Sequence, residues 1–235
     1  GDSLICLGPA ASLASAGLGP LVAWLVERGY VDVVVSTSAN VTEDVLEQRG
    51  AAFYRVEPER ADDERLWREG YYRFYVHVVA RDAYDAMEDF TSGFFDDLAA
   101  RWTERSIAGV VFMRELGHWL EGQGLGGSLA ATCARHGVPL FVPAAPDRPL
   151  AEGYRAAARR EPVVGFLHDY ELALRIMDRY MAPGRGTSAV FVGGGVPKDF
   201  IQITATSVCT LRGGAQASPH RAAIQITTDN TVFGG

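Results

Sequence analysis

Residues 192 to 200 read VGGGVPKDF: three consecutive glycines, a proline and Lys198, the only lysine in a chain of 235 residues. Glycine lets a ligand approach bare backbone, and a lysine of depressed pKa can form a Schiff base. The phosphate-loop pattern GxxxxGK[ST] is absent, as is GxGxxG, and Pro197 suits the first turn of a helix. Similar clusters follow other apolar runs: Gly8-Pro9-Ala10-Ala11-Ser12, Ser36-Thr37-Ser38-Ala39-Asn40, Ala144 to Asp147, His168-Asp169 and Thr227-Thr228-Asp229. Small residues admit a ligand, and hydroxyls beside helix N-terminal N–H groups suit phosphate. One such cluster is an ordinary turn or cap, but six on one sheet edge favour a ligand. Glu43 and Asp44 read as the opening of a helix, where carboxylates complement the dipole, and Glu43 at a sheet edge is available to an ammonium group.

Other chemistries are excluded by spacing. His77, His118, His136, His168 and His220 share no metal-ligand spacing, so no metal is expected. Cys6, Cys133 and Cys209 are far apart without CxxC, and Ser128 lacks the GxSxG context of a nucleophile elbow. With 22 basic against 29 acidic residues, net −7, nucleic acid and anionic membrane are not the expected partners, and a cationic ligand is compatible. No apolar run approaches the ~20 residues of a membrane span, and the start lacks a basic leader region, so a cytoplasmic protein is expected.

The elements that must position these residues alternate in period. LICLG (4–8) reads as a strand, followed by a helix from Ser12 to Arg28 with Leu18, Leu21, Val22 and Leu25 on one face. VDVVVST (31–37) is β-branched enough for a buried parallel strand, and a helix capped near Asn40 and Thr42 ends at Gly50. A long helical region covers roughly 78 to 121. GSLAATCARHG leads into strand VPLFVPA, VVGFLH precedes helix DYELALRIMDRYM, and SAVFVGGG and AAIQITTD are strands flanking a helix that begins near Pro197. At least six strands alternating with helices predict one domain over 1–235 of the α/β class, a Rossmann-like doubly wound, mainly parallel sheet covered on both faces. The polar stretch 56–70 is the expected excursion from the sheet.

Four segments in order, VDVVVSTSANVTEDV, HGVPLFVPAAPDRPLAEG, VFVGGGVPKDF and AAIQITTD, resemble the deoxyhypusine synthase family, including its bacterial synthase-like members. The resemblance runs from about Ser3 to Asp229. It implies an NAD-dependent transferase that removes hydride from spermidine or a related polyamine and passes the aminobutyl group, through an imine on a lysine, to an acceptor amine. The acceptor is a protein lysine or a small diamine, and the assembly a homotetramer with active sites at interfaces. Residue by residue, it implies NAD contacts at Ala11, Ser12, Leu13, Ala14 and Ser15, at Thr37, Ser38 and Ala39, and at Asp147, Gly194, Thr228 and Asp229. Glu43 and Glu152 match acidic positions for polyamine ammonium groups.

The chain also departs from the family pattern. The family's catalytic lysine follows the strand that here reads AIQITTD, beyond Gly235, and Lys198 is not its equivalent. Asp199 stands where the family has a substrate-contacting histidine. Both chain ends read as cut, so the expectation is a longer protein rather than a member without the imine step. The alternatives are a binding protein that keeps the fold, and an amine oxidoreductase without group transfer.

Overall fold

The computed structural model describes residues 3–213 and 220–230. Its centre is a five-stranded parallel sheet built from β1 (Ser3–Pro9), β2 (Val33–Val35), β7 (Leu140–Phe141), β9 (Gly186–Val192) and β10 (Ala222–Ile226), in the order β10-β9-β1-β2-β7. The chain lays down β1, β2 and β7 in one direction, then returns beside β1 with β9 and β10. The order therefore reverses between β1 and β9, the place where open α/β sheets bind ligands.

Period-two side chains explain why the sheet is covered twice. Leu4, Cys6, Val33, Val35, Phe141 and Phe191 face α8 (Phe166–Tyr180) and α9 (Gly195–Leu211), meeting Met177, Ile201, Ala205 and Val208. Leu7, Val34 and Leu140 face the other way, toward α1 (Gly19–Glu27), α2 (Ser38–Gln48) and α6 (Leu129–His136). That second core continues through Phe94 and Leu98 of α4 (Arg81–Arg101) to Phe112 and Leu116 of α5 (Gly109–Gly122). Each such residue contributes roughly 1.5–3 kcal/mol when fully buried. The doubly wound, mainly parallel architecture is the one the sequence predicts.

Several boundaries differ from expectation, each for a local reason. The helix expected from Ser12 starts only at Gly19, because 10–18 form a loop, and Leu18 and Leu21 are exposed while Val22, Ala23 and Val26 are buried. The region 78–121 is not one helix. It holds β5 (His77–Ala80), α4, β6 (Ser106–Ala108) and α5, the short strands being too apolar to break a helical pattern. VVGFLH supplies β8 (Val163–Gly165), but β8 pairs with β6 in a separate two-stranded sheet, so the central sheet has five strands rather than six. His168 and Asp169 accordingly lie within α8 and not on the central sheet edge. The excursion at 56–70 is real: a 3-10 turn (Pro58–Arg60) and α3 (Asp63–Arg68) sit between β3 (Tyr54–Arg55) and β4 (Tyr71–Phe74), which flank β5 in an antiparallel sheet.

No helix among the described residues is long and apolar enough to cross a membrane. α5 crosses closely on α6, where a Cβ at Gly117 would run into the backbone carbonyl of Ala130. Gly117→Ala should therefore lower stability by about 1–3 kcal/mol, seen as a lower urea midpoint with an unchanged slope; an unchanged midpoint would show that the two helices can separate freely.

Candidate functional site

Parallel strands bring their C-terminal ends to one edge, and there the loops after β1, β2, β9 and β10 enclose an open cleft of about 640 Å³. Its walls are Ala10, Ala11, Thr37, Gly193 to Pro197 and Thr227 to Asp229. The volume is in the range of small-molecule and cofactor sites. The ladder continues past the strands to hold this edge: Ala10 N–H donates to Val192 O and Gly193 N–H to Ile226 O, both at 2.8 Å. Gly193 has φ +80°, and a Cβ there would lie 2.8 Å from the Cβ of Ala10, so only glycine fits. Gly194 is the N-cap of α9 and gives it no side-chain cap, which leaves first-turn N–H groups at the cleft as a place for an anionic group.

Lys198 is anchored beside the cleft. Its Nζ donates to Gln225 Oε1 at 2.9 Å, and Gln225 Nε2 donates to Gly193 O at 3.0 Å. This ties the first turn of α9 to β10 and supports the reading of Lys198 as a helix-start residue.

The floor is built by α2, an unusual helix in which eight of eleven residues are buried, four of them Asn40, Thr42, Glu43 and Asp44. Thr37 is its N-cap, accepting from Asn40 N–H at 3.4 Å. Asn40 and Thr42 are therefore not caps, and Glu43 and Asp44 lie in mid-helix instead of its first turn. Asn40 reaches back to the β1–α1 loop. Its Oδ1 accepts from the N–H groups of Leu13 and Ala14 at 2.8 and 3.3 Å, and its Nδ2 donates to Pro9 O, Ala10 O and Ser36 Oγ. Ser38 Oγ donates to Ala144 O, joining the end of β2 to the loop after β7.

Next to the cleft lies a buried acid. Glu43, only 3% exposed, accepts a hydrogen bond from Ser12 Oγ, and Ser12 Oγ is 2.7 Å from Ser15 Oγ. Burial pushes the Glu43 carboxyl up to about 7, helped by the charge of Asp147 and opposed by hydrogen bonds from Ser15. Asp147 precedes α7 (Arg148–Ala156) and accepts from Thr42 Oγ1 at 3.2 Å. Tyr84 of α4 closes the group; burial first, then Asp147 and Glu43, raises its phenol. Arg148 covers the Tyr84 and Tyr72 rings from outside and pairs with Asp85 at 2.9 Å. Two acidic side chains, one buried and one half-buried, thus stand together beside the cleft.

The neighbouring Asp44 serves architecture. It accepts from Leu129 N–H at 2.7 Å at the start of α6, and burial raises it to about 6. Asp169 does the same for α5, accepting from Val110 N–H at 2.9 Å, and burial again raises it to about 6. Cys6 and Cys133 are buried, and burial lifts both thiols to about 12, so neither is a nucleophile at neutral pH. Among the described residues no group of three His, Cys, Asp or Glu could hold a metal.

Of the residues singled out in the sequence, Ala11, Thr37, Gly194, Thr228 and Asp229 line the cleft. Ser12 and Ser15 face the buried acid, while Leu13 and Ala14 supply the backbone that Asn40 holds. Ala39 lends its carbonyl to Thr42 inside α2. Asp199 is exposed one turn into α9. Glu152 stands apart from Glu43, half-buried on α7 and ion-paired to Arg155 at 2.6 Å. Sequence reasoning missed Tyr84 and His77; the latter lies 3.4 Å from Ser15 Oγ through its Nδ1.

The model of the family described as deoxyhypusine synthase matches residues 1–235. "Probable deoxyhypusine synthase 2" of Methanosarcina mazei is 31% identical over 237 residues, covering 100% of this chain and 66% of that protein. The protein of the same name from Archaeoglobus fulgidus is 30% identical over 232 residues, covering 98% and 73%. The chain thus spans about two thirds of the length of these curated relatives. A protein from Entamoeba histolytica whose crystal structure carries a provisional deoxyhypusine synthase name shares the fold, with TM-score 0.58 and 17% identity over 82% of this chain and 58% of that one.

Two stability measurements probe this site. Asn40→Ala strands the backbone groups it serves and should cost roughly 2–4 kcal/mol in urea unfolding; a loss below ~1 kcal/mol would mean the β1–α1 loop holds itself. Glu43 is raised from 4.5 unfolded to about 7 folded, so its stabilisation is complete below the lower value and lost as pH rises through the upper. Glu43→Gln should flatten the fall in stability across that window, leaving the slope from Asp44 and Asp169; an unchanged pH profile would contradict the raised value.

Proposed function

Because the chain belongs to the deoxyhypusine synthase family, we propose that it is the cofactor- and amine-binding part of an NAD-dependent aminobutyltransferase acting on spermidine or a related polyamine. The observation that supports this reading is the sharing of one loop: Ala10 and Ala11 edge the open cleft at the switch point, and Ser12 and Ser15 after them reach the buried Glu43. A dinucleotide fits the cleft's chemistry. Its phosphates would lie against Gly193 and Gly194 at the start of α9, and its polar groups near Ala11 to Ser15, Thr37 to Ala39, Asp147, Thr228 and Asp229. When bound, NAD would accept a hydride.

The chain's own residues would handle the amine. Glu43, with Asp147 beside it, would hold an ammonium group; a carboxylate in a low-dielectric pocket favours the positive charge that grows as hydride leaves. Asp199 lies one turn into α9, where the donor's far end or the acceptor would pass, and Glu152 is offered a role only if Arg155 releases it. Transfer to an acceptor amine, a protein lysine or a small diamine, would pass through an imine on a lysine, as the family resemblance implies. The proposed assembly is the family's homotetramer, in the cytoplasm; the exposed apolar Leu18 and Leu21 at the start of α1 and Ile224 and Ile226 on β10 are surfaces that association of copies would cover.

The test is to incubate the full-length protein with NAD and spermidine and to follow NADH, diaminopropane and a borohydride-trapped lysine adduct. All three are expected. NADH and diaminopropane without an adduct would favour the oxidoreductase reading, and NAD binding without either product the binding-protein reading. Glu43→Gln should weaken polyamine binding roughly 10–100-fold while NAD still binds. In the parent chain polyamine affinity should rise with pH up to about 7, as Glu43 ionises.

A further inference from the structure

We infer that His77 is the solvent-side end of a proton path serving Glu43, through Ser15 and Ser12, and so a relay residue that acts on the amine only through that carboxylate. The inference rests on the reading of Glu43 as the group that takes the substrate's ammonium.

The path is a continuous run of hydrogen-bonding atoms. Glu43 Oε2 accepts from Ser12 Oγ, Ser12 Oγ lies 2.7 Å from Ser15 Oγ, and Ser15 Oγ lies 3.4 Å from His77 Nδ1. Hydroxyls both donate and accept, so such a run carries a proton by each group passing on its own. Glu43 is closed off elsewhere. Tyr84 faces it with a phenol that burial keeps protonated, and Asp147 faces it as a like charge already bonded to Thr42. Asp44 on the same helix is engaged by the start of α6.

His77 is suited to the far end. It is half-buried at the start of β5, and the antiparallel ladder fixes it between Arg55 of β3 and Phe74 of β4. Burial, then the charge of Arg55, holds its imidazole below the ordinary histidine value, so at neutral pH it is uncharged and one ring nitrogen is open to a proton. The β3-β5-β4 sheet, inserted between α2 and α4, thus contributes a titratable side chain to the edge of the site.

The reaction supplies the need for such a path. A polyamine nitrogen arrives as an ammonium, and its carbon can release hydride only once nitrogen has a free electron pair. The ammonium proton passes to the Glu43 carboxylate. Once the Ser12 and Ser15 hydroxyls turn so that each donates toward His77, Ser12 receives it while giving its own proton to Ser15, Ser15 does the same toward His77, and the imidazolium returns a proton to solvent. Glu43 ends as a carboxylate again, and no electron moves along the path.

The test has two arms on the full-length protein. In histidine-labelled NMR without cofactor, Glu43→Gln and Ser15→Ala should each shift the His77 titration midpoint and its Nδ1 resonance while the exposed His136 stays put; an unmoved His77 in both variants overturns the inference. In the second arm, His77→Gln should slow NADH formation roughly 10-fold or more with little change in polyamine KM, and added imidazole should restore part of the rate. A His77→Gln rate equal to the parent's, or a loss that imidazole does not relieve at any pH, overturns it. A parent chain that binds NAD but forms no NADH sinks the function reading instead, and the NMR arm alone then decides the relay.

Discussion

The site depends on one side-chain amide. Asn40 is 4% exposed, and a buried amide left unpaired costs ~1–3 kcal/mol per group. It meets that constraint by bonding to four atoms of the β1 end and its loop, from Pro9 to Ala14, and to Ser36 at the end of β2. A loop of small residues has no packing of its own to give it shape. Bound to a rigid helix, it becomes part of the cleft wall.

The same helix shows how burial can serve two ends. Asp44 and Glu43 are adjacent, each nearly inaccessible, and burial raises both carboxyls. Asp44 is met by the N–H of Leu129 and fixes α6 against α2, a task a helix start rewards. Glu43 is met by the Ser12 hydroxyl and by the backbone N–H and hydroxyl of Ser15, and it has Asp147 as a like-charged neighbour. It therefore sits higher, near neutrality. A carboxylate with that value is a poor contributor to stability at physiological pH and a good receiver of an ammonium and of its proton.

What the sequence made legible follows from what period and residue type encode. β1, β2, β9 and β10, α6, α8 and α9 were readable because their apolar residues repeat at strand or helix spacing, and the cleft residues because they stand directly after strands. Asn40 looked like a cap because Asn favours caps; its true partners are 26 to 31 positions away, which no local pattern records. His77 was invisible for the same reason, since its link to Ser15 spans 62 positions and two sheets. β5 and β6 hid in the expected helical region because strands of three or four residues leave helical periodicity nearly intact, and β8 was legible as a strand while its pairing with β6 was not. The pairing of Glu152 with Arg155, four carbons of side chain folding back on one helix, was likewise settled by rotamers and not by residue order. An Asn in the first turn followed by Thr, Glu and Asp among Val41, Val45 and Leu46, with no wholly polar face left for solvent, is the signal that would have revealed α2 as the floor of a site.

The cleft and the acid pocket also constrain each other. Ala11 lines one and Ser12 bonds into the other, so the peptide between them is a shared wall. A ligand that presses on the backbone at 10–12 changes the reach of Ser12 to Glu43, and with it the balance that sets the carboxyl near neutrality. Conversely, a cation that fixes Glu43 as its carboxylate strengthens the Ser12 and Ser15 bonds and stiffens the loop that borders the cleft. Any coupling between the two places runs through this one peptide, because Asn40 holds the rest of the loop to α2.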